Sequence, residues 1–335
     1  MDIITLSHGS GGRATNRLIK DLFYKYFTNE YLAQENDSTV LPKVNGKIAV
    51  TTDSFVIAPL FFKGGDIGKL SICGTVNDLA MSGAKPLYIT AGFIIEEGLL
   101  ISDLEKIVIS MAETAKEANV KIIAGDTKVV EKGSGDGIFI NTTGIGVIED
   151  ADLYIGGGKA SAGDKIIISG TIGDHGTAIM NMRKDLDFDV DVESDCGLLN
   201  GLIDSILKIS KRVKVLRDPT RGGVATTLNE IAQHSLVSMA IDEEKLPIKE
   251  EVSSMCNILG LDPLFIANEG KLLVIAGKED SERILNTMKN HPIGKDAAII
   301  GEVIDDGKNK VYLITEIGGK RIINMPEGEL LVRIC

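Results

Sequence analysis

Ile67-Gly68-Lys69-Leu70-Ser71-Ile72-Cys73-Gly74-Thr75-Val76-Asn77-Asp78-Leu79-Ala80-Met81-Ser82 carries two distinct faces when wound as a helix. Ile72, Val76 and Leu79 form one. Ser71, Thr75, Asp78 and Ser82 form the other, with Gly74 among them and Asn77 on the flank. An exposed helix ordinarily carries Lys and Glu at such positions. A small polar face around a carboxylate therefore either lines a site or packs closely on a neighbouring element, and both readings stand at this point.

The segments on either side make the first domain one of alternating strands and helices. Leu18 to Phe27 reads as a helix, and Ile48-Ala49-Val50-Thr51-Thr52 as a strand running into Asp53. Ser102-Asp103-Leu104-Glu105 has the form of a capping box. The helix it would open carries Leu104, Ile107, Val108, Met111, Ala112 and Ala115 on one stripe. Lys121-Ile122-Ile123-Ala124 then reads as a strand ending at Gly125-Asp126-Thr127-Lys128, and 138–148 as a long strand. Asp53, Asp78 and Asp126 each end or line an element.

Three glycines at 156–158 mark a linker, so domains are expected at 1–155 and 156–324, with a flexible tail over 325–335. The second half restarts with the apolar strand Lys165-Ile166-Ile167-Ile168, and Gly173-Asp174-His175-Gly176 opens a helix. Asp185 to Asp195 reads as a solvated acidic loop. In Asp218-Pro219-Thr220-Arg221-Gly222-Gly223, Asp218 can cap a helix, the glycines allow a ligand close to exposed N–H groups, and Arg221 offers a cation for phosphate. Asn268-Glu269-Gly270 places an acid at a turn before another strand. The tail ends in Val332-Arg333-Ile334-Cys335, a thiol on the last residue.

At 335 residues the chain is long for one core, which agrees with two domains. A content of 44% hydrophobic and 25% charged residues is ordinary for a globular protein. The net charge of −12 leaves no basic field for general nucleic-acid binding, but not against a small phosphorylated ligand held with a metal. The first residues lack a basic-then-apolar pattern, so no secretory signal is expected. No run of about 18 apolar residues predicts a membrane span. Cysteines at 73, 196, 256 and 335 are too scattered for a disulfide framework or a zinc site. A reducing, cytoplasmic setting is expected, with Cys335 a free thiol and the other three buried as small apolar side chains.

Taken together, the N-terminal loop Ser7-His8-Gly9-Ser10-Gly11-Gly12-Arg13, Thr52-Asp53-Ser54, Asn77-Asp78, Gly125-Asp126-Thr127 and 218–223 resemble a superfamily. It includes aminoimidazole ribonucleotide synthetase, selenophosphate synthetase and thiamine-monophosphate kinase. Asn77-Asp78-Leu79-Ala80-Met81-Ser82-Gly83-Ala84, Gly125-Asp126-Thr127-Lys128-Val129-Val130 and the terminal Arg333-Ile334-Cys335 are most similar to the HypE family of hydrogenase maturation factors. The likeness runs over essentially the full chain. One departure is Val332, where that family usually has Pro.

The resemblance implies an α/β (α+β) fold of two domains, of the aminoimidazole ribonucleotide synthetase type. It implies a homodimer built through N-terminal strands, with ATP in a cleft near that interface. The implied chemistry is a thiol carbamoylated by a partner carbamoyltransferase, HypF, and then dehydrated with ATP to a thiocyanate. That group supplies cyanide to the iron of a [NiFe]-hydrogenase through a HypC–HypD scaffold. Asp53, Asp78 and Asp126 would contact nucleotide and Mg2+, with Asn77, Thr127, His8, Gly11 and Arg221 also on the nucleotide. Phosphoryl transfer to the amide oxygen makes phosphate the leaving group, and carboxylates suit Mg2+ held among phosphates. Glu269 would take the amide protons, with Lys128 as its electrostatic partner and Cys335 as the modified residue. Arg333 would offset the terminal carboxylate beside the thiol. The rivals are a small-molecule kinase of the thiamine-monophosphate type, which leaves Cys335 without a role, and a metal-carrying scaffold, which a lone terminal thiol supports poorly.

Overall fold

In this computed structural model, residues 2–34, 36–183, 190–328 and 334–335 are described. The opening segment winds through α1 (Arg13–Leu18), a π-helical turn (Ile19–Phe23) and α2 (Tyr24–Phe27). The N-terminal sheet follows with β1 (Lys47–Phe55), a small hairpin of β2 (Phe61–Phe62) and β3 (Gly65–Asp66), and then α3 (Ile67–Met81). β4 (Lys85–Glu96), α4 (Ile101–Glu117), β5 (Lys121–Val130) and β6 (Ile138–Ile148) complete it. The strand order is β1-β6-β4-β5, with β4 and β5 parallel and the other pairs antiparallel.

α3 resolves the two readings of its polar face. The Asp66 carboxylate caps it, accepting from the N–H groups of Gly68 at 2.7 Å and Lys69 at 3.2 Å. Nearly every residue of the helix is buried, the polar ones included. The Thr75 hydroxyl pairs with that of Thr142 on β6, which donates to the Ser71 carbonyl at 3.0 Å. The face is thus close packing over Ser71 and Thr75, and it opens to a site only at Asp78, which is partly exposed. Each fully buried Leu or Ile side chain on the apolar face contributes about 1.5–3 kcal/mol to the domain core. The capping box expected at Ser102 does not form. α4 begins at Ile101 with Leu100 before it, and the Asp103 carboxylate instead takes Lys106 at 2.9 Å.

The C-terminal half is a second layer built on a seven-stranded sheet. Its elements are β7 (Lys165–Ile168), α5 (Asp174–Asn181), α6 (Asn200–Ile209), β8 (Val213–Arg217), α7 (Gly223–Ser235) and β9 (Ser238–Asp242). α8 (Glu250–Leu259), β10 (Leu273–Ala276), α9 (Lys278–Lys289), β11 (Ala298–Ile304), β12 (Val311–Ile314) and β13 (Lys320–Ile323) follow. The order is β13-β12-β9-β11-β7-β10-β8, and only β12 and β9 run parallel. Ile166, Ile167 and Ile168 are all buried, as a strand covered on both faces requires.

The two halves are joined by buried contacts. Asn77 on α3 donates to the Gly197 carbonyl at 3.0 Å and accepts from the Leu199 N–H at 2.8 Å. Both ends of its amide are taken and the residue is 1% exposed, so in this conformation it couples the domains rather than reaching a nucleotide. One apolar cluster runs from Phe55 and Ile72 in the first half through Ile179 and Ala267 in the second to Ile334. The chain end is therefore part of the junction. Ile334 pairs antiparallel with Ile57 just after β1 and is buried, where a flexible tail was expected. Val332 and Arg333 lie outside the described residues.

Candidate active site

The expected site residues fall into two groups. The first surrounds a cavity of about 510 Å3, inside the range of small-ligand pockets, whose lining includes Gly9, Gly11, Asp126, Thr127 and Lys128 together with Phe23 and Phe27. Gly9 lies so close to β5 that a Cβ there would be 2.6 Å from the Val129 nitrogen, which keeps the glycine-rich loop against the strand. His8 stands beside it, its Nδ1 accepting from the Thr5 N–H at 3.0 Å. Lys128 pairs with Asp126 at 2.8 Å and, by its hydrogen bond, holds the acid below the usual carboxylate range.

The second group sits at the domain junction and comprises Asp53, Asp78, Arg221, Glu269 and Cys335. Thr51 donates to Asp78 at 2.9 Å. Burial pushes the Asp78 carboxyl up, the Thr51 bond offsets this, and the charge of Asp53 adds to it. Asp218, half-buried near Asp78, is pushed up to about 7, first by burial and then by the Asp78 charge. Three acids thus crowd one another, and the charges of Arg217 and Arg221 oppose the shift at Asp78.

The motif around Arg221 is built differently from the expected helix start. α7 begins at Gly223, after Gly222, so Asp218 does not cap it. Gly223 has φ +61°, and a Cβ there would lie 2.6 Å from the carbonyl oxygens of Leu264 and Ile266. Its N–H donates to the Thr220 carbonyl at 3.1 Å. Backbone packing, not ligand approach, accounts for that glycine.

Glu269 is 3% exposed, and its Oε1 has no hydrogen-bond partner among the described residues. Burial drives its carboxyl well above the usual range, with the charges of Cys196 and Asp218 acting in the same direction. Its backbone is fixed by Asp195, whose carboxylate accepts from the N–H groups of Glu269 at 3.2 Å and Gly270 at 3.1 Å. Asp195 is 2% exposed at its side chain, so the end of the supposed solvated acidic loop is interior; 184–189 lie outside the described residues. Asn268 accepts from the Gly173 N–H at 2.8 Å and donates to the Pro219 carbonyl at 3.0 Å, tying both loops behind Glu269.

Cys335 comes to rest in this group. The Val56 N–H donates to the terminal carboxylate at 3.0 Å, and His175 Nε2 lies 2.6 Å from the Ile334 carbonyl oxygen. Burial pushes the thiol up to about 12, Glu269 adds to the shift, and Arg221 opposes it. Among the described residues, Arg221 is the cation that acts on the thiol in the position expected of Arg333.

The two groups do not meet within one chain. Asp53 is opposite Thr142 on β6, Thr142 opposite Ala91 on β4, and Ala91 opposite Gly125 on β5. Three strand spacings of about 4.8 Å separate the edges by roughly 14 Å. Asp126 and Lys128 also alternate onto the same sheet face as the exposed Ile94, whereas Asp53 faces α3. Asp53, Asp78 and Asp126 therefore do not converge, and Lys128 does not stand beside Glu269. Among the described residues no three ligating side chains gather in metal-binding geometry.

Sequence reasoning missed His175, Ser194, Asp195 and Asn268. The one visible signal was a histidine set among glycines and an acid at 173–176.

Comparison with known proteins agrees with this architecture. Residues 35–148 match the N-terminal domain of AIR synthase related protein, and residues 161–314 match its C-terminal domain. Carbamoyl dehydratase HypE of Cupriavidus necator is 50% identical, with 99% of this chain and 95% of that protein covered. A crystal structure of the hydrogenase maturation protein HypE in complex with ATP has a TM-score of 0.94 at 47% identity, covering 98% of this chain and 99% of that one. HypE from a HypE–HypF complex has a TM-score of 0.81 at 54% identity, covering 92% and 99%. Thiamine monophosphate kinase of Aquifex aeolicus, at 21% identity and a TM-score of 0.60 over 92% and 99%, shares the fold alone. With a docked terminal thiol, acids at the domain junction and relatives of this identity over the full length, the chain belongs to the HypE family of AIR synthase related proteins.

Proposed function

We propose that this protein is an ATP-dependent carbamoyl dehydratase that acts on its own Cys335 in the maturation of [NiFe]-hydrogenase. The observation that carries the reading is the terminal thiol seated beside Glu269, Asp53 and Arg221. A carbamoyltransferase of the HypF type loads the thiol, and the product passes to a HypC–HypD scaffold. The kinase reading leaves this docked cysteine unexplained. Among the described residues no helix is long and apolar enough to cross a membrane, and a reducing cytoplasm would preserve the thiol.

The reaction converts –S–CO–NH2 and ATP into –S–C≡N, ADP and phosphate. ATP supplies the phosphoryl group that turns the amide oxygen into a phosphate leaving group. Mg2+ is commonly held by one or two carboxylates together with phosphate oxygens, and Asp53 and Asp78 offer such a pair. Their mutual crowding fits a cation, since positive charge would favour the ionised forms. Arg221 would stabilise charge on the transferred group. Glu269 then takes protons from the amide nitrogen. Its raised carboxyl makes it a strong base once ionised, and a nearby cation would bring that about.

Lys128 is the expected cation, and a second copy would supply it. The outer face of the N-terminal sheet leaves Ile48 64%, Val50 65% and Ile94 46% exposed, an apolar surface that favours self-association. Pairing through this sheet would bring the Asp126–Lys128 edge of one copy toward the Asp53–Glu269 edge of the other, and ATP would bridge the two groups. The test is intact mass of the protein after incubation with carbamoyl donor, transferase and MgATP. A carbamoyl adduct that then loses one water, absent from Cys335→Ala, is expected. Turnover of a free substrate by Cys335→Ala would instead support a kinase.

A further inference from the structure

We propose that His175 is the positioning residue that holds the tail in its reactive place, through one hydrogen bond to the carbonyl of Ile334. The inference rests on the dehydratase reading for its purpose, but the contact itself does not.

His175 is completely buried near the start of α5, edge-on to the Phe62 ring at 5.6 Å. Its Nε2 is 2.6 Å from the Ile334 carbonyl oxygen, and its Nδ1 is 2.7 Å from the Ser194 hydroxyl. A carbonyl oxygen can only accept, so Nε2 carries the proton and donates. Burial lowers the affinity of the ring for a second proton, although Asp195 opposes this, so the imidazole is neutral near pH 7. Nδ1 is then an acceptor and Ser194 donates to it. The same hydroxyl oxygen accepts from the Cys196 N–H at 3.0 Å, which leaves Ser194 a single proton and a single direction for it. The chain of bonds runs from the Cys196 backbone through Ser194 and His175 to the last peptide group.

With the tail docked each link has one polarity, because the Ile334 carbonyl can only accept and so selects the Nε2–H tautomer, which Ser194 supports from the other side of the ring. The bond is made at the depth where Ile334 packs against Gly176 and Ile57. Ile334 supplies apolar burial, Val56 takes the carboxylate, and His175 sets the register of the last peptide. That peptide carries the thiol directly, so its orientation decides whether the loaded group faces Glu269.

Two substitutions separate the clamp from mere packing. The His175→Asn side chain places its amide where Nδ1 lies and can face Ser194, but it cannot reach the tail. The His175→Gln side chain extends its amide nitrogen to the position of Nε2 and retains a donor. The probe is iodoacetamide, with alkylation of Cys335 followed by peptide mass analysis without ATP, beside thermal melts of each variant. His175→Asn is expected to alkylate faster than wild type by roughly three- to tenfold, the scale of one net hydrogen bond. His175→Gln is expected to stay near the wild-type rate, and a pre-carbamoylated tail to dehydrate more slowly in His175→Asn than in His175→Gln. Ser194→Ala, which leaves the histidine but frees its tautomer, should fall between them. Equal alkylation in wild type and His175→Asn overturns the clamp even where dehydration proceeds. Faster alkylation in both variants alike, following their melting temperatures, also overturns it. Loss of protection in His175→Asn alone supports the clamp even if wild type fails to dehydrate, a failure that would sink the proposed reaction instead.

Discussion

The backbone N–H of Val56 donates to the terminal carboxylate of Cys335 at 3.0 Å, so the loop after β1 holds the last residue of the chain. The thiol it brings in is buried beside Glu269 and pushed up to about 12. A raised docked thiol is a poor nucleophile, so carbamoylation is expected of an undocked tail. The docked position suits the later step, which needs no thiolate.

Docking should weaken as the solution becomes alkaline. The thiol is at about 12 when docked and near 8.5 when free, so docking favours the protonated form. The contribution is fully present below about pH 8.5 and falls about tenfold per pH unit as pH rises toward the docked value. Alkylation of Cys335 should therefore keep rising through pH 9 to 10, whereas an isolated tail peptide levels off. A plateau at the peptide's pH would show that the docked state is not populated.

Glu269→Gln should abolish dehydration and yet stabilise the protein. The Glu269 carboxyl is raised in the folded state, so it disfavours folding increasingly as pH rises above its unfolded value of about 4.3. Oε1, without a partner among the described residues, stays a buried polar oxygen in Gln, so the expected gain is the pH-dependent part alone. Urea titrations at pH 5 and pH 8 should show the variant gaining more over wild type at pH 8. Normal dehydration by Glu269→Gln would remove it from the role of base.

Mixing two inactive proteins should restore activity if the site spans two copies. In a mixed dimer of Glu269→Gln and Lys128→Ala chains, one site has both native residues and the other has neither. Random exchange makes about half the dimers mixed, so about a quarter of wild-type activity is expected in a two-fold assembly. No recovery after verified subunit exchange would place Lys128 and Glu269 in separate roles.

Asp78→Asn should uncouple stability from nucleotide binding. The Asp78 charge helps to push Asp218 up to about 7, so removing it lowers Asp218 and relieves repulsion that grows with pH. The free variant should melt at a higher temperature than wild type at pH 8. MgATP, which stabilises wild type by binding the folded state, should raise the variant's melting temperature little. A wild-type-sized shift, or one in wild type that survives excess EDTA, would exclude Asp78 as a metal carboxylate.

Much of the fold and half of the site could be read from residue order. Apolar periodicity reveals the strands and helices because burial imposes it locally, and Asp53, Asp78, Asp126, Arg221, Glu269 and Cys335 stand out as chemical groups without any contacts known. The capping box at 102–105 and the glycines at 222–223 misled because a turn motif does not reveal what packs behind it. Leu100 precedes the helix in one case, and the Leu264 and Ile266 carbonyls occupy the space in the other.

By itself the sequence determined which groups this protein carries: the thiol of Cys335, the acids Asp53, Asp78, Asp126 and Glu269, and two domains to hold them. Only the tertiary structure decided which groups meet. It parted Asp126 and Lys128 from Asp53, and so from the Glu269 that the other half brings to Asp53, because strand order and side-chain alternation put Asp53 on the opposite edge and face of the N-terminal sheet. It joined Cys335 to His175 and Val56, residues far apart in the chain, because hydrogen-bond partners across a domain junction depend on how the two halves pack and leave no mark in local periodicity.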